Sequence, residues 1–451
     1  MQKRTIRDEF CKKIKDIEEH YMTRETIKRI LQNRFLEKVE EKRANGFDVR
    51  PVERDIDGFL RSVDGILYGF DVLDECKKRS DWNYVEPEKW EEIEKELIPP
   101  SIKNVKNVDA RTRSAFLASV AGCILGKPLE CNPTFDTLKE TYAPIGEWPI
   151  THYITRNMIN AFGRKDLDTS TLEGMNGADA DDDINYTIIG MLVLEKYGRN
   201  FTANDVASIW QKYLPTGFTF GPELTFLRQS SLFGREGGHN YEEDWSRYRC
   251  GQNYCGAMIR ADAFGYANPG NPYAAAEMAW RDGHMTHEYT GVYGEMFAAA
   301  AIASAYSANT PEEIITDGLN CIPAKSRLAN CVRTCLNIVK ETQDYETAYR
   351  MINARYNQYT HCLIYQETGL LINSIMNATS AGNGICLQVM QGCDTDSYCC
   401  TCGSILGAYF GSIEDKWIDV FNDRINLAVA CAPEFSLAKL ADRMTNLRKL
   451  K

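Results

Sequence analysis

Three glycines recur at a spacing of four residues near the carboxyl end of the chain, at Gly403, Gly407 and Gly411. Residues four apart lie on one face of an α-helix, and a glycine inside a helix costs about 1 kcal/mol relative to alanine. A helix that keeps three of them needs a close-packed neighbour. The spacing therefore predicts a buried helix over residues 397–410 that a second helix approaches closely.

Two carboxylates and a hydroxyl stand at the start of this helix, in Asp394, Asp396 and Ser397. A second acidic run at 179–183 precedes another apolar segment, at 184–197. Grouping these carboxylates at buried helix starts without cations would cost many kcal/mol, so we predict one shared metal centre. Oxygen ligands favour Mg²⁺, Ca²⁺ or Mn²⁺ over Zn²⁺, and the Asp-x-Asp-Ser pattern suits two neighbouring ions.

Long segments with apolar residues at helical spacing, rich in Ala and Gly, follow from about residue 105. Such spacing predicts α-helices, over residues 111–126, 184–197, 204–213, 256–266, 272–282, 291–307, 328–340, 345–354, 366–376 and 397–410. Alternating patterns are few, with a short strand around 151–155 as the alternative there. The pattern favours an all-α multi-helix fold.

Residues 1–105 differ in composition, because Lys and Glu dominate and apolar residues such as Ile27, Leu31 and Phe35 recur at helical spacing. This pattern predicts amphipathic helices. We place a boundary near residue 105, with a charged helical N-terminal extension over 1–105 and one domain over 106–451. The extension is compatible with capping a cleft, forming a homodimer or recruiting a modified partner.

The formal net charge of −11 argues against non-specific nucleic-acid binding, which requires an excess of Lys and Arg. The first residues have no apolar signal-peptide core, and no apolar stretch is long enough to span a membrane. We therefore expect a cytoplasmic protein without a membrane partner. Most of the sixteen cysteines are expected to be buried reduced thiols, since the run 399–402 has no companion motif for structural zinc.

Three motifs in order resemble those of the ADP-ribosylglycohydrolases, the family of dinitrogenase-reductase-activating glycohydrolase and the ADP-ribosyl-acceptor hydrolases. They are Ala-Gly-Cys-Ile-Leu-Gly-Lys-Pro-Leu-Glu (121–130), Asp-Asp-Asp-Ile-Asn-Tyr (181–186) and Gly-Cys-Asp-Thr-Asp-Ser (392–397). The third is the specific one. The segment 255–265 is similar to the family's Asn-Gly-x-x-Met-Arg, and Thr286-His287 to its Thr-His pair. The resemblance covers about residues 106–430.

This resemblance implies an orthogonally packed all-α domain with a binuclear Mg²⁺ centre, Mn²⁺ being the alternative ion. It implies hydrolysis of the ribose C1″ bond of an ADP-ribosylated protein or small molecule. The implied metal ligands are Asp181, Asp182, Asp183, Asp394, Asp396 and Ser397. Glu130 would orient the ribose or a catalytic water, and Asp182 and Asp394 would take part in proton transfer. The implied substrate contacts, with backbone N–H groups facing the pyrophosphate, are Asn253, Tyr254, Gly256, Arg260, Asp262 and His287.

The chain departs from the family pattern at several motif positions. The usual Thr-Asp-Asp-Thr aligns either with 180–183 or with 181–184, and the sequence leaves both registers open. Cys123 stands where an Asp is common, and Cys255 where the loop has Asn. Two alternatives to ADP-ribosyl hydrolysis therefore remain: a catalytically silent ADP-ribose-binding or structural relative, and a hydrolase of another ribosyl conjugate.

Overall fold

Helices make up the regular structure of the chain in the computed structural model, which describes residues 24–164, 167–232, 249, 251–359, 361–430 and 434–451. Within these ranges extended backbone forms only isolated β-bridges. The all-α prediction is confirmed, and residues 151–155 form no strand.

The helices are numbered here along the described part of the chain. The extension contains α1 (Arg24–Ala44), α2 (Arg50–Glu53), α3 (Ile56–Phe59), α4 (Val63–Glu75) and α5 (Trp90–Ile93). The remainder contains α6 (Val108–Gly126), α7 (Phe135–Tyr142), α8 (Arg156–Ala161), α9 (Asp182–Tyr197), α10 (Ala203–Tyr213), α11 (Gly221–Leu232), α12 (Asp262–Ala267), α13 (Pro272–Gly283), α14 (Thr290–Ala305), α15 (Pro311–Asn320), α16 (Arg327–Thr342), α17 (Tyr345–Tyr356), α18 (Ile364–Asn377), α19 (Ala381–Met390), α20 (Thr395–Phe410) and α21 (Leu437–Asn446).

Side-chain caps fix where several of these helices begin. At α10, Asp205 N–H donates to Thr202 Oγ1 at 3.3 Å and Thr202 N–H donates to Asp205 Oδ2 at 2.8 Å. This reciprocal pair satisfies backbone donors that a helix start leaves without partners. The helices predicted from apolar spacing are present, except that the segment 256–266 is divided into a 3₁₀ turn at Met258–Arg260 and helix α12.

Helices α6 and α20 cross at glycines contributed by both. A Cβ at Gly403 would lie 2.1 Å from a backbone oxygen of α6, and a Cβ at Gly122 would lie 2.1 Å from a backbone oxygen of α20. No side chain fits at either position, so backbone packs on backbone. Thr395 Oγ1 donates to Gly126 O at 2.8 Å, which joins the start of α20 to the end of α6. The predicted close approach is confirmed.

Gly411 does not share the role that its spacing predicts. It follows the last residue of α20 with φ 73°, and its N–H donates to Gly407 O at 2.9 Å. Glycine is favoured here because a Cβ is strained in left-handed backbone. The prediction was wrong for this residue, which ends the helix. Gly407 keeps the predicted role, since its Cβ would lie 2.6 Å from Ser114 O of α6.

The extension packs against the rest of the chain through its backbone. Val85 N–H donates to Lys325 O at 3.1 Å, and Ile98 N–H donates to Asn320 O at 2.9 Å. The domain boundary near residue 105 stays a prediction. The part of the predicted extension at residues 1–23 lies outside the described residues.

Two further sequence-based expectations concern membrane-spanning helices and cysteines. Among the described helices, none combines the length and the apolar character needed to cross a membrane. None of the cysteines in the described ranges forms a disulfide bond, and most of them are buried.

Candidate metal centre

Asp181 caps helix α9 and is itself held by a lysine. Its Oδ1 accepts from Asp183 N–H at 3.2 Å, and its Oδ2 accepts from Lys127 Nζ at 2.9 Å. Lys127 Nζ also donates to Ala180 O at 2.5 Å. Burial raises the pKa of Asp181, but the charge of Lys127 and the hydrogen bonds that Asp181 accepts together outweigh burial, and the net shift is downward. Asp181 is therefore an anion that is paired on one oxygen.

The turn that leads into α20 is fixed by two neighbouring segments. It contains left-handed backbone at Gly392 and Cys393, with φ 76° and 63°. Cys393 N–H donates to Pro133 O at 2.8 Å, and Asp394 N–H donates to Glu367 Oε1 of α18 at 3.0 Å. The backbone that carries the Asp394 carboxylate is thus held by the loop before α7 and by α18.

Helices α9 and α20 bring their acidic starts together. Ser397 Oγ donates to Asp183 Oδ2 at 3.3 Å. Asp183 and Asp396 are at most 2% exposed, and the Oδ1 atom of each is buried with no hydrogen-bond partner among the described residues. A buried carboxylate oxygen without a partner costs about 1–3 kcal/mol or more. These two oxygens are the ones that a cation would satisfy.

Repulsion between carboxylates marks the same cluster. Burial and, after it, neighbouring carboxylates that include Asp181 and Asp394 raise the pKa values of Asp182, Asp183 and Asp396 well above their usual range. A divalent cation would oppose these shifts, because a nearby positive charge favours the ionised form.

Glu130 and His361 also lie next to Asp394. The ligand atoms of these three residues lie within 4.8 Å of one another. Burial, followed by the charges of Asp394 and Asp181, raises the pKa of Glu130 to about 7. The side chain of Glu130 can therefore gain or lose a proton near neutral pH. His361 Nδ1 is buried with no hydrogen-bond partner among the described residues.

The donors in this cluster fit a hard divalent cation. They are carboxylate and hydroxyl oxygens from two helix starts, and two of the oxygens are buried without a partner in the described part of the chain. Mg²⁺ and Mn²⁺ prefer such ligands. The structure brings together all of the predicted ligands, Asp181, Asp182, Asp183, Asp394, Asp396 and Ser397.

The loop at 251–256 lies beside the acidic cluster. Cys255 Sγ donates to Asp394 Oδ2 at 3.4 Å. Tyr254 precedes this contact, and its side chain is 45% exposed. Tyr254 therefore lies at the protein surface, next in sequence to a residue that contacts the cluster.

Asn253 and Gly256 of this loop have partners within the protein. Asn253 Oδ1 accepts from Tyr365 OH at 3.3 Å. A Cβ at Gly256 would lie 2.5 Å from Glu223 Oε1, so a larger residue would displace the loop. Both residues hold the shape of the loop next to the cluster.

The guanidinium of Arg260 is enclosed by acceptors of the protein. It is 2% exposed, and its five N–H groups are used by Glu223 Oε1, Gly256 O, Thr286 Oγ1, Asp282 O and Asp282 Oδ2. No donor is left over for a substrate. The structure therefore places Arg260 behind the loop, where it holds Gly256 and Glu223.

Asp262 and His287 are also buried rather than presented to the cluster. Asp262 Oδ2 accepts from Ser119 Oγ at 2.7 Å and from Tyr266 OH at 3.3 Å, so it joins α12 to α6. His287 is fully buried, with Nδ1 at 2.8 Å from Thr286 Oγ1. Burial and then the charges of Arg260 and Arg249 lower its pKa well below the usual value. His287 is therefore a neutral imidazole at pH 7.

Six residues that the sequence interpretation did not select lie in or beside the cluster. They are Cys123, Lys127, Cys255, His361, Cys362 and Glu367. Cys123 and Lys127 lie inside the 121–130 motif and Cys255 begins the 255–265 segment, so these three had a local signal. The other three come from α18 and the segment before it, where no motif stands, and only the fold brings them to Asp394.

Comparison with known proteins identifies the fold and the family. A solved protein complex described as ADP-ribosylglycohydrolase-related shares the fold, with a TM-score of 0.50 and 14% sequence identity over 76% of this chain and 100% of that chain. No curated protein matches the chain. The family model described as ADP-ribosylglycohydrolase matches residues 104–449. Its members generally act as hydrolases on ADP-ribose conjugates and typically depend on metal. The chain therefore belongs to the ADP-ribosylglycohydrolase family.

Proposed function

We propose that this protein is a Mg²⁺-dependent hydrolase that cleaves the C1″ glycosidic bond of an ADP-ribosylated protein or small molecule and releases ADP-ribose. The proposal rests on two buried carboxylate oxygens, on Asp183 and Asp396, where α9 and α20 meet; neither oxygen has a hydrogen-bond partner among the residues that the structure describes. Asp182, in the first turn of α9, is only partly buried, so the cluster that favours positive charge is accessible to a ligand there.

The metal would be held by the six oxygen donors of the two helix starts, with Mn²⁺ as the alternative ion. When bound, such an ion polarises a coordinated water and holds ribose hydroxyls. The carboxylates themselves also favour the reaction, because glycosidic cleavage develops positive charge at C1″. This chemistry requires no histidine or cysteine nucleophile.

Three carboxylates are proposed to act on the ribose and the attacking water. Glu130 would orient one of them, since its ligand oxygen lies within 4.8 Å of an Asp394 oxygen. Asp182 lies at the first turn of α9, half-buried beside Asp394. With a divalent ion bound, Asp182 would accept a proton from the attacking water, and Asp394 would take part in the same proton transfer.

The remaining predicted residues divide into contacts and supports. The backbone N–H groups of Gly251, Tyr254 and Cys255 donate to protein acceptors. Tyr254 and the backbone N–H groups of Asn253 and Gly256 would therefore face the ADP part of the ligand. Arg260, Asp262 and His287 would act as positioning residues, because each is buried and bonded to protein groups.

One observation favours the alternative of a catalytically silent ADP-ribose-binding protein. The Lys127 ammonium neutralises Asp181, so part of the negative charge that would attract a metal is already balanced within the chain. On this alternative ADP-ribose binds without a divalent ion and no acceptor is cleaved.

Calorimetry distinguishes the two functions. ADP-ribose is titrated into the protein with excess Mg²⁺ and after EDTA treatment, and the experiment is repeated with Asp396→Asn. The matched control is Asp179→Asn, since the Asp179 carboxylate belongs to the same acidic run but is bonded to Thr169 and Ser170 at 2.6 and 3.1 Å.

The hydrolase proposal expects binding that needs Mg²⁺, is lost in Asp396→Asn and is kept in the control. Peptides ADP-ribosylated on arginine or on serine are then tested for release of ADP-ribose. Equal binding with EDTA, without turnover of either peptide, would instead establish the silent binder. Equal turnover by Asp396→Asn and the native protein would remove the metal from the mechanism.

A further inference from the structure

Cys255 and Cys362 face each other across a short backbone bridge. Cys255 N–H donates to Cys362 O at 2.9 Å, and Ile364 N–H donates to Asn253 O at 3.0 Å. These bonds flank the antiparallel bridge between residues 254 and 363. In such a pair, opposed residues have Cα atoms about 5.5 Å apart. The backbone therefore fixes the two thiols as neighbours although the residues are far apart in sequence.

Both thiols lie against the Asp394 carboxylate. The Cys255 sulfur, the Cys362 sulfur and an Asp394 oxygen lie within 4.8 Å of one another. The Cys255 Sγ to Asp394 Oδ2 distance is 3.4 Å. Ligand atoms of a tetrahedral zinc site lie about 3.5–3.8 Å apart, so side-chain rotation alone suffices to bring the three atoms onto one ion.

Glu367 supports this group through hydrogen bonds and places a buried carboxyl oxygen beside it. Its Oε1 accepts from Cys362 N–H at 3.2 Å and from Asp394 N–H at 3.0 Å. Its Oε2 is buried and has no hydrogen-bond partner in the described ranges, and the residue is 2% exposed. A cation next to the two thiols would therefore also meet a buried carboxylate with an unused oxygen.

We propose that Cys255, Cys362 and Asp394 form a binding site for a thiophilic divalent cation of the zinc class. Two sulfurs and one oxygen select Zn²⁺, Cd²⁺ or Co²⁺ over Mg²⁺, because soft ligands favour these ions. Each thiol gives its proton to solvent as its sulfur becomes a ligand, since the thiolate is the coordinating form. Three protein ligands leave the fourth position for water or a ligand group.

This site is distinct from the acidic cluster at the starts of α9 and α20 but shares Asp394 with it. A thiophilic ion would draw the Asp394 carboxylate away from the hard-cation ligands. It would therefore weaken Mg²⁺-dependent binding of ADP-ribose, a consequence that rests on the proposed function. Binding of the thiophilic ion itself does not depend on that function.

Cobalt provides the direct test. CoCl₂ is titrated into the full chain with saturating Mg²⁺ and a phosphine reductant, and sulfur-to-cobalt charge-transfer absorption is recorded. Oxygen ligands give no such absorption, but the Cys123 sulfur lies within 4.8 Å of oxygens of Asp181 and Asp183. Cys123→Ser is therefore measured as well, and it is expected to keep the native absorption. We expect one equivalent of thiolate-bound cobalt that Zn²⁺ displaces, and loss of at least half of the absorption in Cys255→Ser and in Cys362→Ser.

Two cysteine variants elsewhere serve as matched controls. Cys131 is exposed, and Cys331 lies 4.0 Å from Cys335 in a second thiol pair. Cys131→Ser and Cys331→Ser are expected to keep the native absorption. If the double variant Cys255→Ser/Cys362→Ser is folded by circular dichroism and absorbs like the native protein, the site is excluded. Loss of the absorption in Cys331→Ser with retention in the double variant would assign the cobalt to the other pair and overturn the proposal.

Calorimetry separates this inference from the proposed function. With Mg²⁺ present, Zn²⁺ should weaken ADP-ribose binding at least tenfold in the native protein, and by a smaller factor in the double variant. If ADP-ribose binds under no condition, the proposed function fails while the cobalt absorption still decides the site. An equal effect of Zn²⁺ on both proteins would show that the ion acts elsewhere and would contradict the role of the two thiols.

Discussion

Lys38 and Glu288 form a buried ion pair, with Nζ and Oε2 2.5 Å apart, across 250 residues of sequence. Lys38 Nζ also donates to Arg249 O at 2.8 Å, and Glu288 Oε2 accepts from Gln252 Nε2 at 2.8 Å. The first described helix of the extension is thus bonded to the segment that begins the 251–256 loop. The extension is part of the support of the candidate site.

Replacing Lys38 by methionine should destabilise the protein. The change leaves Glu288 buried without its principal partner, so the free energy of unfolding should fall by about 3–5 kcal/mol. Urea unfolding followed by circular dichroism measures the change. The control is Lys28→Met on the same helix, whose 3.8 Å pair with Glu25 is partly exposed and should cost less than about 1 kcal/mol. Equal effects of both variants would show that the buried pair contributes nothing special.

Glu41 should make stability depend on pH. Burial raises its pKa to about 7, with Glu288 adding to the shift and Lys38 opposing it, and its Oε1 accepts from Gly251 N–H at 2.6 Å. Its usual pKa is 4.5, so the folded chain binds this proton more tightly than the unfolded chain. Stability from this group is complete below pH 4.5 and is lost as the pH rises to 7, by at most about 3 kcal/mol.

The variant Glu41→Gln removes this titration while it keeps an oxygen for Gly251 N–H. Urea unfolding of both proteins at half-unit intervals from pH 5 to 8 measures the difference. The native protein should lose stability relative to the variant as the pH rises. A constant difference across this range would show that Glu41 titrates normally in the folded chain.

Adding a methyl group at the α6–α20 crossing should be costly. In Gly403→Ala the new Cβ would lie 2.1 Å from a backbone oxygen, so the helices must separate, at a cost of about 1–3 kcal/mol or more. Gly217→Ala is the control, because a Cβ at Gly217 has no neighbour within 4 Å. Thermal unfolding compares the two variants. Equal melting temperatures would show that the crossing relaxes without cost.

Neutralising the Asp183 carboxylate should stabilise the metal-free protein and remove the rise in melting temperature that Mg²⁺ causes. In EDTA, Asp183→Asn removes a carboxylate whose pKa is raised by burial and, after it, by the neighbouring carboxylates, so the free energy of unfolding should rise by about 1–3 kcal/mol. Thermal unfolding with EDTA and with Mg²⁺ measures both effects. Asp179→Asn should leave the magnesium response intact. A full Mg²⁺-induced rise in melting temperature for Asp183→Asn would exclude this carboxylate from the metal centre.

The parts of the fold that the sequence predicted are those written in local patterns. Apolar spacing located the long helices, and the glycine spacing located the crossing of α20, because both depend on residues within a few turns. Gly411 escaped this reasoning, since spacing alone does not reveal whether a glycine lies inside a helix or in the left-handed turn after it.

Residues of the candidate site could be predicted from the sequence only where they belong to a recognisable motif. Asp183, Asp394 and Asp396 stand at helix starts and could be selected from sequence. Arg260 could not be assigned correctly from a motif, because whether its donors reach a substrate depends on partners from distant segments. Cys362 and Glu367 lack a motif and reach Asp394 only through the packing of α18.

The crossing of α6 and α20 at their glycines sets a distance within the candidate site. Glu130 follows α6 by a few residues, and Asp394 immediately precedes α20, so the contact between these two backbones sets the separation of the two side chains. One turn of a helix is about 5.4 Å, and a slip of that size would take the carboxylates out of reach of one another. Since backbone atoms hold this spacing, it does not depend on the rotamers of the surrounding side chains.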